Sequence, residues 1–239
     1  MKNIKNNIFI IGLVFQTIFV FGQEPLVGAK DLLTNISNNY SSTVKDFSAS
    51  FKWIQDDKIQ TGTVLFKNPQ KMRMNFSDPK GQVIVTNGYE FWVYLENMNL
   101  VLQQDLMAKE KKTEDDGKVS VVESPILINP VGFDKFIKEY AIEYHESKSL
   151  VDYTDGSKVY KFKLIKWRSS QNGFNVIYLT VQPDGLTRRV EGITAAYKKV
   201  ILEFDDYLLN QSVSDLKFEF DKPTHANTVN NFISKQGEN

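Results

Sequence analysis

Four pairs, Asn87-Gly88, Asp155-Gly156, Asn172-Gly173 and Asp184-Gly185, punctuate the chain between runs rich in β-branched and aromatic residues. Such pairs tolerate the positive φ of a tight hairpin turn, so the flanking runs must return on one another as antiparallel strands. The clearest case sets Val83-Ile84-Val85 against Phe91-Trp92-Val93-Tyr94. From Phe47 the apolar period is two: Phe47, Ala49, Phe51 and Trp53 fall on one face, with Ser48, Ser50 and Lys52 on the other. This is the alternation of a strand with one buried side.

Before it, over Leu26 to Tyr40, Ala29, Leu32, Leu33, Ile36 and Tyr40 recur at helical spacing, which predicts one amphipathic helix. Between the two strand-rich halves, Ser124 to Tyr140 carries Ile126, Leu127, Val131, Phe133, Phe136 and Ile137, interrupted by Pro125, Pro130 and Gly132. Short, broken helices are expected there. Lys109 to Lys118 mixes both charge signs around Gly117 and reads as a solvated loop. From Ala226 onward the chain is polar and without period, so residues 226–239 are expected to form a loose tail.

No repeat of fixed period and no linker divides the chain, so both halves are expected in one domain and one sheet. Long antiparallel sheets curl. The class is therefore mainly β (α+β): a single-domain, unclosed antiparallel half-barrel with a helical lid over an apolar cavity.

At the N-terminus, Lys2 and Lys5 precede an apolar run from Ile8 to Phe21, roughly fourteen residues, the pattern of a secretory signal. The run is short for a bilayer span and is interrupted by Gln16 and Thr17, which disfavours an uncleaved anchor. Residues 1–22 are read as the signal and 23–239 as the mature, exported domain. The absence of cysteine leaves an exported chain without disulfides and without an acylated N-terminal cysteine. With 29 basic and 29 acidic residues there is no global field to draw the protein onto nucleic acid.

No phosphate-binding loop, dinucleotide fingerprint, nucleophile elbow or zinc-protease pair occurs. His145 and His225 lie far apart and are read as surface or strand-edge residues, so no metal site and no cofactor are expected. Asp56-Asp57, Asp115-Asp116 and Asp205-Asp206 are read as solvated turns, because adjacent carboxylates on a strand point to opposite faces. The chain is expected to be no enzyme.

One window orders these pieces in a recognisable way. It runs Phe47-Ser48-Ala49-Ser50-Phe51, Gly62-Thr63-Val64-Leu65-Phe66-Lys67-Asn68-Pro69, Lys71-Met72-Arg73-Met74, Ser77-Asp78-Pro79, Val83 to Gly88, and Phe91 to Tyr94. A weaker continuation passes through Val176 to Val181 and Asp184-Gly185 and ends at Phe218-Glu219-Phe220-Asp221-Lys222-Pro223. This order resembles the LolA-type periplasmic carriers of outer-membrane lipoproteins.

The resemblance implies a monomeric carrier that binds the acyl chains of lipoproteins, takes them from an inner-membrane ABC-type exporter and passes them to an outer-membrane acceptor. Within that reading, Phe47, Phe51, Met72, Met74 and Trp92 in the cavity, and Ile126, Leu127, Phe133 and Phe136 in the lid, are the expected lipid contacts. Large adaptable side chains suit a variable apolar ligand. Family members often carry arginine just before the turn proline, where this chain has Asn68; Lys67 and Arg73 are the candidate substitutes for release and docking. The alternative function is that of an envelope sensor or assembly factor using the same half-barrel to bind a protein partner.

Overall fold

The alternation that begins at Phe47 becomes the middle strand of one long sheet. The computed structural model describes residues 27–106, 133–169 and 173–232. After helix α1 (Ala29–Thr43) come β1 (Asp46–Gln55), β2 (Lys58–Lys67), β3 (Lys71–Asp78), β4 (Val83–Thr86), β5 (Glu90–Leu95) and β6 (Leu100–Asp105). A short helix α2 (Asp134–Glu139) leads into β7 (Tyr140–Tyr144), β8 (Val151–Asp152), β9 (Lys158–Lys166), β10 (Phe174–Val181), β11 (Thr187–Thr194) and β12 (Lys199–Leu209). A last strand, β13, spans Asn227–Asn230.

The strand order is β13-β6-β5-β4-β3-β2-β1-β12-β11-β10-β9-β7, with β8 paired to β9. Each half is a meander of hairpins, and β1 joins them by pairing antiparallel with β12. The two ends of this order, β13 and β7, do not pair, so the curved sheet stays open. The expected class, one unclosed sheet with helices against it, is what forms, antiparallel throughout except where β13 pairs with β6.

Local sequence explains most of the turns. Gly88, Gly156, Gly173 and Gly185 all take positive φ at the sites where they were expected to do so. Asp56 and Asp57 both have positive φ and close the β1–β2 hairpin, the solvated turn read from the sequence. Asp205-Asp206 departs from that reading, because it lies inside β12 at a bulge rather than in a turn. Asp206 is left-handed there and accepts a hydrogen bond from Ser50 Oγ at 3.1 Å. Asp205 turns instead to Arg188, whose Nη2 donates to both Asp205 and Asp155 at 2.5 Å.

α1 begins and ends three residues later than the expected Leu26 to Tyr40. Its last turn is extended by hydroxyls that bond back to backbone carbonyls, Ser41 to Ser37, Ser42 to Asn39 and Thr43 to Asn39. The expectation of a loose tail from Ala226 is corrected at its start. Asn227 to Asn230 pair in parallel with Leu100 to Gln103, and Asn231 N–H donates to Gln103 O at 2.7 Å. The signal segment, the Lys109 to Lys118 loop and Asp115-Asp116 lie outside the described residues.

Candidate functional site

Both helices sit on one face of the sheet. Against that face Phe47, Phe51, Met72 and Met74 come together with Phe66, Phe76, Phe91, Leu202 and Phe204, and Tyr40 and Val44 pack on them from α1 and its end. The rings meet edge to face: Phe51 lies 5.0 Å from Phe76, and Phe47 lies 5.2 Å from Tyr207. Period two places these side chains together, since Phe47 and Phe51 share one side of β1, as Met72, Met74 and Phe76 share one side of β3.

A second apolar cluster continues the same face across the other half. Ala29, Leu33 and Ile36 of α1 meet Phe162, Leu164, Ile177, Leu179, Val181 and Val190 of β9 to β11. Phe133 is buried in this cluster and Phe136 packs against it, 6.4 Å from Phe133 and 5.8 Å from Tyr140. Among the described residues the helices therefore lie mainly over β9 to β11. Ile126 and Leu127 lie outside the described residues.

The cover is held mostly by apolar packing. Ser37 Oγ accepts from the Phe133 backbone N–H at 3.0 Å, and Tyr144 Oη donates to Val27 O at 2.7 Å. Tyr40, at the boundary of the two clusters, is buried with its hydroxyl unpartnered among the described residues. Burial, and secondarily the charge of Asp184, hold that phenol far above its usual range. A buried hydroxyl left unpaired costs about 1–3 kcal/mol.

Trp92 was grouped with the cavity residues, and the structure places it on the opposite face. On β5, Phe91 belongs to the helix face, while Trp92 packs with Val85, Val101 and Tyr94 beneath Phe220. The Trp92 and Phe220 rings are 5.9 Å apart.

Lys67 and Arg73 are on this opposite face as well. Lys67 Nζ donates to Val213 O at 2.8 Å and pairs with Asp215 at 2.7 Å, with Lys71 on the same carboxylate at 3.1 Å. Arg73 donates to Glu219 O at 3.1 Å. Rather than reaching the lid, these cations fasten residues 213–219 to the outside of β2 and β3, with Phe218 fully buried beneath. This strap was missed in the sequence, although Phe218-Glu219-Phe220 ahead of Lys222-Pro223 was visible as a motif.

His145 is half-buried and His225 exposed, as expected for surface or strand-edge residues, and His145 lies 4.7 Å from the Tyr178 ring. Among the described residues no group of histidine and carboxylate side chains could hold a metal ion.

Residues 42–114, which cover most of the first half of the sheet, match the family described as outer membrane lipoprotein carrier protein LolA. An outer-membrane lipoprotein carrier protein of Coxiella burnetii is 25% identical over 232 residues, covering 95% of this chain and 97% of the relative. Among solved structures, an uncharacterized conserved protein from Thermus thermophilus superposes with a TM-score of 0.53 at 13% identity, over 84% of this chain and 98% of that one. MucB superposes with a TM-score of 0.50 at 10% identity, over 83% of this chain and 64% of that one. At such identities these two likenesses concern the fold alone. The chain carries a LolA-family match in its first sheet half and resembles a lipoprotein carrier over nearly its whole length, which bears out the resemblance read from its sequence.

Proposed function

We propose that this protein is a periplasmic carrier that shields the acyl chains of lipoproteins and moves them from the inner to the outer membrane without catalysing a reaction. The observation that carries the reading is a continuous apolar sheet face, built from both halves of the chain and covered by helices rather than by further strands. Helices resting on side chains can lift without breaking a single ladder bond of the sheet.

The acyl chains would displace the end of α1, with Tyr40 and Val44, from Phe47, Phe51, Met72 and Met74, and extend toward Phe133 and Phe136 of the neighbouring cluster. Ile126 and Leu127 belong to the same proposed lid. Burying an acyl chain contributes about 0.8 kcal/mol per methylene. A bilayer offers much the same, so transfer between membrane and carrier is nearly balanced. The unpartnered Tyr40 hydroxyl shallows the closed state and lowers the work of opening.

The cargo would come from an inner-membrane ABC-type exporter, pass to an outer-membrane acceptor, and travel on a monomer. The test is release: energised inner-membrane vesicles holding a triacylated lipoprotein are incubated with the protein. A soluble stoichiometric complex is expected with acylated cargo and not with delipidated cargo. No complex from a demonstrably active exporter would overturn the carrier reading and leave recognition of a protein partner by the same face.

A further inference from the structure

The β9–β10 and β11–β12 connections lie side by side on one rim, because β9 and β11 both run toward it and only β10 stands between them. Each connection presents one large aromatic side chain to solvent: Trp167 is 66% exposed and Tyr197 is 89% exposed. Three cations flank them, Lys166, Arg168 and Lys198, none with a carboxylate partner among the described residues. The carboxylates nearby are already engaged, Glu191 by Lys199 at 2.6 Å and Glu139 by Lys135 at 3.9 Å. Beyond β12, Asp56 and Asp57 on the β1–β2 turn end the basic stretch.

The backbone at Tyr197 has φ +58°, a left-handed position that suits glycine or asparagine and strains a bulky residue. The fold gains nothing from a ring there, since the side chain is almost wholly in solvent. Indole and phenol rings with one apolar and one polar side settle at the headgroup level of a bilayer. Unpaired lysine and arginine are drawn to anionic headgroups. A protein partner would be met instead by a central anchor in a dry pocket, and the two rings here stand on separate turns.

We propose that this rim rests on an anionic bilayer surface, with Trp167 and Tyr197 entering the headgroup layer and Lys166, Arg168 and Lys198 facing its charges. The inference stands apart from cargo binding and holds or fails without it.

The test uses the full chain and vesicles of phosphatidylglycerol with brominated phosphatidylcholine, a lipid that quenches nearby indoles. The signal of Trp167 is the quenching lost on Trp167→Phe, so any leader shared by all variants cancels. Quenching is expected on anionic vesicles and not on phosphatidylcholine alone, and it should fade with salt. Replacing Lys166, Arg168 and Lys198 together by glutamine should weaken binding roughly a hundredfold, about fivefold for each cation. Tyr197→Gly should reduce binding while melting no lower than the native chain, because glycine accepts the left-handed backbone.

An unquenched Trp167, equal quenching on neutral vesicles, or native binding by Tyr197→Gly would each overturn the proposal. So would an unquenched position 167 that photocrosslinks to an envelope protein, which would assign the rim to a protein partner.

Discussion

The ring of Phe51 occupies the space that a side chain on Gly62 would need. A Cβ placed on Gly62 would come within 2.8 Å of that ring and 2.1 Å of the Asn75 carbonyl oxygen. The two residues face one another across β1 and β2, and Phe51 in turn meets Phe76 of β3. Gly62→Ala must therefore move either a ring or a strand at the middle of the sheet. A loss of about 1–3 kcal/mol is expected, read as a lower urea midpoint at unchanged slope. A native midpoint would mean that the ring swings aside freely.

Tyr40→Phe removes the buried hydroxyl that lacks a partner among the described residues and keeps the ring over Gly185, where an added Cβ would come within 2.5 Å of the Tyr40 Cβ and 3.0 Å of its ring. The variant should be more stable by about 1 kcal/mol, with slower amide exchange in α1. If the protein is a carrier, the same variant should take up cargo more slowly, since its closed state is deeper.

Alkali should unfold the protein through its buried phenols. Burial, helped by Glu139, pushes Tyr140 up to about 12, and burial also raises Tyr40 and Tyr207 well above their ordinary value. Their folded values lie above the ordinary value near 10. The stability they contribute is thus intact below about pH 10 and is lost as the pH rises through the folded values. Near-ultraviolet absorbance should show these phenols ionising together with loss of the far-ultraviolet strand signal. Ionisation of all three with the fold intact would refute the assignment.

The strap should detach without the sheet melting. Phe220→Ala removes the ring over Trp92 and should shift indole emission to the red, with faster exchange at residues 227–230. Lys67→Ala should act in the same direction through Asp215, whose carboxyl is held below its usual range by hydrogen bonds from Lys67 and Lys71. That contribution is present above the ordinary carboxylate pKa and is lost as the pH falls through the lowered value. Exchange in β9 to β11 should be unchanged in both variants.

The helix, the central strands and the hairpins were legible because each rests on a local pattern. Period two put Phe47 with Phe51 and Met72 with Met74, and positive-φ pairs marked the turns. Alternation, however, says only that two faces differ, not which one meets the helices. Around Trp92 both faces are covered, one by core and the other by Phe220, so both read as apolar and the choice between them was lost. The strand at Asn227 to Asn230 was invisible for a related reason: its residues are mostly polar and exposed, and backbone pairing with β6 holds them. Lys67 and Arg73 were visible as cations near a turn, but their partners are contributed 146 residues later, a distance that no local window spans.

The joint between β1 and β12 also sets an order of events in time. Phe47 is aligned with Leu209, so the strand that begins the sheet waits for one near the end of the chain. Apart from β13, which must also reach back to β6, every other neighbouring pair can form from contacts closer in sequence, which are faster, whereas this one must close a long loop. A chain that emerges gradually during its synthesis would build two half-sheets first, each with an open edge, and would acquire a single continuous sheet only when its last strands arrive.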